Sequence, residues 1–196
     1  MTLPELYVLR HGETEWNRQG RWQGRLDSPL TETGRAQARD MGALLSDLGV
    51  TPRTHGFFVS PQGRAMATAD LLLHGAGTAT VDPRLAEIDV GSYAGLSREE
   101  ILTRAGLPAG AAMLDHYAAV PDGESFAALF ARVSAFLADL RGPAVIITHG
   151  ITSRFLRTAA LGWGLDRVSE PPGGQGVIHR VRDGWHETLD AGAGAR

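Results

Sequence analysis

Two largely apolar stretches of the sequence, residues 5–10 and 144–148, are each followed by a histidine and then a glycine. These histidines are His11 and His149. In an α/β protein the carboxyl ends of the strands open onto the ligand crevice, where chemistry is usually done. If both stretches are central, parallel strands, the two histidines face one site. Two imidazoles suit phosphoryl transfer, because one attacks phosphorus as a neutral base and the other donates hydrogen bonds to the transferring group.

Cations must meet the charge that develops on a transferring phosphoryl group, and the sequence offers no metal-binding motif for this purpose. Arg10, directly before His11, supplies one fork of donors. Arg64 supplies a second, at the start of a predicted helix just after the strand pattern of residues 56–60. The helix that begins after Gly150 adds backbone N–H groups that point toward an anion. Together these residues predict an anion-binding pocket around His11.

A leaving alkoxide needs a proton, so a general acid is also required. Glu87, in the predicted loop of residues 82–95, is the best candidate by its position. Three other carboxylates are weaker candidates: Glu13, Asp89 and Asp122.

Alternating strand and helix patterns surround these residues and must position them. Buried strand patterns cover residues 5–10, 56–60 and 144–148, with a short strand around Val81. Helical spacing and N-capping residues predict helices over residues 31–48, 64–73, 97–105, 111–117, 125–140 and 150–161. This alternation predicts a sheet with helices on both faces.

Three stretches lie outside this alternation. Asp183-Gly184 is a two-residue turn signal, which predicts a hairpin between residues 176–182 and 185–189. Residues 12–29 are predicted to be a polar loop, because their glycines and a proline prevent regular structure. Residues 191–196 are predicted to fray.

Composition narrows the chemistry further. The 196 residues carry a net charge of −3, which gives no bulk attraction to nucleic acid or to an acidic membrane surface. The absence of cysteine excludes disulfides, thiolate metal sites and cysteine nucleophiles. All 19 basic residues are arginine, so Schiff-base chemistry and P-loop phosphate binding, which need lysine, are excluded as well.

Several short motifs follow one another along nearly the whole chain. They are Arg10–Thr14, Trp16-Asn17, Gln23-Gly24, Asp27–Thr31, Ser60–Ala65 with Thr68-Ala69, Glu87 with Gly91 and Gly95, Pro121–Ser125 and Thr148–Gly150. Each motif is weak alone, but the set in this order is highly specific. By this set of motifs the chain resembles the histidine phosphatase superfamily, also called the phosphoglycerate mutase-like family. One departure is Gln62, where members of the family more often carry an apolar residue.

The resemblance implies a phosphohistidine intermediate on His11 and a proton donor at Glu87. It also implies a phosphate pocket formed by Arg10, Asn17, Arg64 and His149, to which the matched segments add Gln23, Gly24 and Gly150. The family fold is a three-layer α/β/α sandwich with a mostly parallel central sheet, in agreement with the pattern of the sequence. We expect neither a metal ion nor a cofactor. The other histidines have no motif around them and are predicted to be structural: His55, His74, His116, His179 and His186.

We expect a single domain over residues 1–196, with a small helical cap elaboration at about residues 92–122. The expected partner is a small-molecule phosphomonoester, not nucleic acid or a membrane, and the sequence leaves a homodimer open. No apolar run approaches the roughly 20 residues that span a bilayer, and the start of the chain lacks a signal-peptide pattern. We therefore expect a cytoplasmic protein.

Three roles are compatible with the resemblance: a phosphomonoesterase, a cofactor-dependent phosphoglycerate mutase, and a catalytically inactive protein that binds a phospho-ligand. A mutase must hold a highly anionic bisphosphate and shield phosphohistidine from water, which calls for extra cations and a substantial cap. Between Glu87 and Pro121 the chain has only Arg98 and Arg104, and this interval is short. The inactive protein is disfavoured because every candidate catalytic group is present. The sequence therefore favours a phosphatase.

Overall fold

A six-stranded sheet forms the centre of the computed structural model, which describes residues 3–194. The strands are β1 (Leu6–Arg10), β2 (Gly56–Val59), β3 (Thr80–Val81), β4 (Ala144–Thr148), β5 (Val177–Arg182) and β6 (Trp185–Asp190). Their order across the sheet is β3-β2-β4-β1-β5-β6. The first four in this order are parallel, and β5 of the β5–β6 hairpin pairs antiparallel with β1 at one edge. The predicted mostly parallel sheet is confirmed.

Helices cover both faces of this sheet. They are α1 (Glu15–Arg18), α2 (Glu32–Asp47), α3 (Gly63–Leu73), α4 (Arg98–Ala105), α5 (Met113–Ala118), α6 (Phe126–Asp139) and α7 (Gly150–Ala160). Helices α2 and α3 pack together on one face, and α6 and α7 pack together on the other. The result is the three-layer α/β/α sandwich that the sequence predicts.

Side chains of the central strands alternate between the two faces, as the pleat requires. On β1, Leu6 and Val8 pack with α6 and α7, while Tyr7 and Leu9 pack with α2 and α3. All five residues of β4 are buried, because helices cover both of its faces.

The helix ends follow from their capping residues. Thr31 accepts a hydrogen bond from the backbone N–H of Gly34, and Ser125 accepts one from Ala128, at the starts of α2 and α6. Ser97 forms a reciprocal capping box with Glu100 at the start of α4. The predicted helices begin and end within two residues of the observed ones.

Two local predictions need correction. The segment of residues 12–29 is not entirely loop, because α1 forms there behind a capping box between Thr14 and Asn17. Residues 191–194, which the sequence predicts to fray, form one 3-10 helix, and Ala191 packs against the core on the α2 face. Residues 195–196 lie outside the described residues.

Parallel pairing of β1 with β4 places the two histidines. Arg10 is in register with Thr148, and the backbone N–H of His11 donates to the carbonyl of Thr148 across 2.9 Å. His11 and His149 therefore follow adjacent strands at the same edge of the sheet, as the sequence predicts.

The predicted cap segment, residues 92–122, contains α4 and α5 joined by irregular chain. Ile101 of α4 and His116 of α5 are buried. Among residues 3–194, no helix combines the length and the apolar character needed to cross a bilayer.

A close backbone contact fixes the loop that follows His11. A Cβ atom at Gly34 would collide with the backbone of Glu13, and one at Gly12 would collide with the carbonyl of Gly34. We expect Gly34→Ala to lower the free energy of unfolding by about 1–3 kcal/mol, because overpacking outweighs the gain in helix propensity. Urea denaturation measures this change.

Thr33→Ala is the matched control, since the exposed Thr33 lies in the same helical turn and alanine meets no backbone there. We expect it to be neutral or slightly stabilising. A Gly34→Ala protein as stable as Thr33→Ala would show that the Gly34 contact does not constrain the loop.

Candidate active site

A cavity of about 350 Å³ opens at the carboxyl ends of β1 and β4. Eight of the predicted site residues line it: Arg10, His11, Asn17, Gln23, Gly24, Arg64, Glu87 and Gly150. His149 does not line the cavity. It is fully buried beside His11, with 5.2 Å between the two ring centroids. The structure thus brings all nine predicted residues to one place.

A single hydrogen bond fixes the tautomer of His11. Nδ1 of His11 lies 2.8 Å from the carbonyl oxygen of Gly12, which can only accept. Nδ1 therefore carries the proton, and Nε2 has a free lone pair. Nε2 accepts a 3.2 Å hydrogen bond from Nε–H of Arg64, as this assignment requires. The nitrogen available for chemistry is Nε2.

Burial holds His11 in its neutral form. The side chain is 2% exposed, and desolvation lowers its pKa well below the usual value. Arg10 and Arg64 lower the pKa further by repulsion, while the hydrogen bond to Gly12 opposes the shift. Burial and the neighbouring cations lower the pKa of His149 in the same way. Both imidazoles are therefore neutral at physiological pH.

The guanidinium of Arg64 is held in place by acceptors on the loop before α2. It donates to the carbonyls of Leu26 and Gly24 at 2.6 and 2.9 Å, and to Asp27 at 3.0 Å. Asp27 also accepts hydrogen bonds from the backbone N–H groups of Gly63 and Arg64. It thereby caps α3 from a distance, where Gln62 at the N-cap provides no side-chain hydrogen bond to the helix start. The sequence motif contained Asp27 but gave no indication of this role.

Arg10 has a different environment, because its guanidinium donates no hydrogen bond to the side chains and carbonyls of residues 3–194. Its Nε is buried without a partner, and burial lowers its pKa. A Cβ atom at Gly150 would lie 3.6 Å from the guanidinium carbon, which places Arg10 beside the start of α7. A buried cation with free donors fits an anion in the cavity.

Glu87 reaches the cavity from the loop after β3 and is held at the start of α7. Its carboxylate accepts hydrogen bonds from the backbone N–H groups of Ile151 and Thr152, at 3.2 and 3.0 Å, and from the Thr152 hydroxyl at 2.9 Å. Carboxylates are favoured at this end of a helix. Glu87 is therefore fixed next to the anion pocket, as a proton donor or acceptor must be.

Gln62, the departure from the family pattern, connects three parts of the site. Its side-chain oxygen accepts a 2.7 Å hydrogen bond from the backbone N–H of Glu87, and its amide donates to Gly24 at 2.7 Å. The Ser60 hydroxyl, 3.3 Å from the Gln62 oxygen, shares a 2.7 Å hydrogen bond with Nε2 of His149. A polar side chain is thus satisfied in this buried position.

Asn17 both caps α1 and lines the cavity. Its side-chain oxygen accepts from the N–H of Thr14 at 3.2 Å and from the amide of Gln175 at 3.0 Å. Because these bonds use the side-chain oxygen, the side-chain NH₂ group of Asn17 remains available as a donor. Gln23 donates to the Thr14 hydroxyl at 2.9 Å. Sequence reasoning missed Gln175, which follows the turn-rich residues 171–174.

The cap supplies the wall opposite β1. Trp22 stacks on Tyr117 of α5 with 3.9 Å between ring centroids, and Met113 and His116 lie beside them on the wall. Burial and then the nearby carboxylate of Glu87 raise the pKa of Tyr117, which keeps the phenol neutral. His116 and His179, which the sequence predicts to be structural, both line this cavity.

Comparison with known proteins agrees with this geometry. A family model for the histidine phosphatase superfamily, branch 1, matches residues 6–186. The chain belongs to the histidine phosphatase superfamily. It is 37% identical over 169 residues to the probable phosphoglycerate mutase GpmB of Enterobacter sp. (strain 638), covering 81% of this chain and 75% of that protein.

Two solved structures that are similar to this chain carry the name phosphatase. The α-ribazole phosphatase of Shigella flexneri is 25% identical and has a TM-score of 0.78, over 95% of each chain. The mycobacterial glucosyl-3-phosphoglycerate phosphatase, in complex with VO3, is 28% identical with a TM-score of 0.76, over 90% of this chain and 92% of that one.

The neutral state of the two buried histidines is open to measurement. We expect the ring resonances of His11 and His149 to keep their neutral positions as the pH falls from 8 through the ordinary histidine pKa of about 6.5, because protonation would add a buried cation beside Arg10 and Arg64. Proton NMR titration measures this, with His11→Ala and His149→Ala assigning the signals.

In urea-unfolded protein the same histidines have the ordinary pKa of about 6.5. A midpoint near that value for His11 in the folded protein would contradict the buried, neutral nucleophile.

Proposed function

We propose that this protein hydrolyses a small organic phosphomonoester through a phosphohistidine formed on His11. The observation that carries the proposal is the hydrogen bond from His11 Nδ1–H to the carbonyl of Gly12, which leaves the Nε2 lone pair beside the cations of the cavity. A neutral imidazole with a fixed tautomer is a competent nucleophile toward phosphorus. Arg10 and Arg64 supply the positive charge that the transferring group needs.

In the first step Nε2 of His11 attacks phosphorus, and the bond from phosphorus to the ester oxygen breaks. Nε–H of Arg64 donates to Nε2 of His11 in the structure. When the substrate binds, this N–H donates to a phosphate oxygen instead, and the lone pair of Nε2 becomes free. Glu87 must enter this step as the neutral carboxylic acid, and it gives its proton to the leaving alkoxide. The phosphorylated imidazole keeps its Nδ1 proton, and the Gly12 carbonyl stabilises the positive charge that the ring gains.

In the second step water attacks phosphorus and the phosphorus–nitrogen bond breaks. Glu87, now a carboxylate, takes a proton from this water, and His11 returns to its neutral form. Inorganic phosphate leaves with both groups restored to their starting states. The same carboxyl group thus acts as acid and then as base, as microscopic reversibility requires.

A panel of phosphomonoesters, assayed for released phosphate, tests the proposal. We expect turnover by the unmodified protein and a loss of at least about 10³-fold in kcat/KM in His11→Ala, because that variant lacks the nitrogen that attacks phosphorus. Glu87→Gln separates the roles: alkyl phosphates should lose about 10²–10⁴-fold, because their leaving group needs a proton. p-Nitrophenyl phosphate should lose much less, since its phenolate leaves without one.

Hydrolysis that survives in His11→Ala would contradict the proposal, and so would equal losses for both leaving groups in Glu87→Gln. Arg53→Met is the control for a change at an exposed arginine remote from the cavity.

A phosphoglycerate mutase is the second candidate, because the matched protein of Enterobacter bears that name. Arginines of α7 also line the cavity, which adds cations that the cap segment alone does not provide. We expect the phosphatase nonetheless to be the faster activity. With 2,3-bisphosphoglycerate present, phosphate release should exceed the conversion of 3- to 2-phosphoglycerate; faster conversion would make the protein a mutase.

Several statements remain predictions from the sequence. They concern the cytoplasmic location, the single-domain boundaries, and the absence of cofactor and nucleic-acid partners. The sequence also leaves a homodimer open.

A further inference from the structure

The cavity continues beyond the phosphate pocket along one face of α7. Five residues of this helix line it, and four of them occupy positions i, i+3, i+4 and i+7: Gly150, Ser153, Arg154 and Arg157, with Ile151 as the fifth. This spacing puts them on a single stripe of the helix. Ile151, Phe155 and Leu156 form the apolar side of α7 that packs into the core with β1 and β4. The stripe lies on a different side of the helix, toward His179 of β5. Here it carries two arginines and a serine.

Facing the α7 stripe, the other wall of this part of the cavity consists of His179 of β5 and the two loop residues Gly173 and Gly174. We call the space between this wall and the α7 stripe the Arg157 chamber. His179 is in register with Val8 of β1, so it lies on the α7 face of the sheet. The chamber therefore begins beside Arg10, which follows Val8 on the same face.

Arg157 is buried and incompletely paired. The residue is 1% exposed. Its Nε donates to the carbonyl and hydroxyl oxygens of Ser153, both at 3.2 Å, and one terminal nitrogen donates to the carbonyl of Pro172 at 2.6 Å. The other terminal nitrogen is buried without a hydrogen-bond partner. Across residues 3–194, neither Arg157 nor Arg154 forms a salt bridge with a carboxylate.

An unpaired buried guanidinium is costly, because desolvation is not offset by an opposite charge. Burial, with repulsion from Arg154, lowers the pKa of Arg157 to about 9, so it remains a cation at neutral pH. Burial and then Arg157 lower the pKa of His179 to about 3, which keeps that ring neutral. Nδ1 of His179 bonds the Thr188 hydroxyl at 3.1 Å. The chamber thus holds net positive charge with a free donor, and it contains no carboxylate.

The position of the guanidinium sets the geometry of any ligand that reaches it. Helical side chains lean toward the N-terminus, and the contacts with Ser153 place the guanidinium of Arg157 at the level of that residue. Ser153 lies about one helical turn, roughly 5 Å, from Gly150 along the axis. Gly150 in turn adjoins Arg10. One small molecule can therefore contact both arginines.

We propose that the Arg157 chamber binds a second acidic group of the substrate, a carboxylate or a phosphate, about one helical turn from the phosphoryl group that Arg10 and His11 receive. The inference rests on the proposed function, because it names the substrate class of the same site. It makes Arg157 a residue that selects diacids, with Arg154 and the neutral His179 completing the chamber.

A role confined to structure would leave these observations unexplained. Holding the turn at residues 171–174 needs only the hydrogen bond to Pro172, and an uncharged donor could make it. The two roles differ in ligand binding, since a structural arginine does not discriminate between ligands with and without a second acid.

Three phosphonates that cannot be hydrolysed test the inference in calorimetric titrations of the full chain. They are propylphosphonate, 3-phosphonopropanoate and propane-1,3-diylbisphosphonate. We expect at least one of the two diacids to bind ten or more times tighter than propylphosphonate, and the tighter of them shows whether the chamber prefers carboxylate or phosphate. In Arg157→Met the ratio of the diacid affinity to the propylphosphonate affinity should fall to within about twofold of one. Arg53→Met should keep the ratio of the unmodified protein.

A ratio within twofold in the unmodified protein would overturn the inference, and so would a tenfold ratio that survives in Arg157→Met. If Arg157→Met does not fold, Arg157→Lys decides: the retained charge without the planar fork should lower the ratio at least threefold but not abolish it. An unchanged ratio in that variant would overturn the inference.

The experiments distinguish failure of the proposed phosphatase function from failure of the inference about the Arg157 chamber. Because these titrations involve no turnover, an Arg157-dependent preference for diacids in a protein that hydrolyses no phosphomonoester would retain the chamber and reject the phosphatase. Hydrolysis without the preference would retain the phosphatase and reject the chamber.

Discussion

Parallel pairing of β1 with β4 is the interaction on which the whole site depends. The register that joins Arg10 to Thr148, and the hydrogen bond from His11 N–H to the Thr148 carbonyl, bring two buried histidines to one edge of the sheet. The loops that follow these strands begin at that edge, so Glu87 can be held by the first turn of α7. A slip of one residue in this register would turn the side chains of one strand to the opposite face and separate the pair.

Charge inside the cavity is unbalanced, and this imbalance connects fold to function. Arg64 is paired with Asp27, but Arg10 and Arg157 keep buried nitrogens without partners. Such groups reduce stability, and proteins retain this kind of cost at sites where a ligand removes it. Burial keeps His11 neutral and therefore nucleophilic, and two cations of the cavity, Arg10 and Arg64, lower its pKa further. Anion binding and nucleophile activation thus come from one arrangement of charges.

The sequence predicted the layers, the sheet and the principal residues because these are encoded locally. His11 and His149 each follow an apolar strand pattern, and Thr31, Ser97 and Ser125 each precede the helix that they cap. The supporting contacts could not be predicted, since they join distant parts of the chain: Asp27 to Gly63, Gln62 to Gly24, and Gln175 to Asn17. Arg157 and His179 were missed for the same reason. A strand histidine or a helical arginine carries no local signal that a cavity lies beside it.

The most direct test of this account is the position of phosphorus on the intermediate. Rapid mixing with a ³²P-labelled phosphomonoester and alkaline quenching would capture an acid-labile phosphoenzyme, and ³¹P NMR of protein with ¹⁵N-labelled histidine would locate the bond. Because Nδ1 of His11 is committed to the Gly12 carbonyl, we predict a single phosphoryl group on Nε2 of His11, absent in His11→Ala. Phosphorus on Nδ1, on another residue, or on no residue during active hydrolysis would contradict the account.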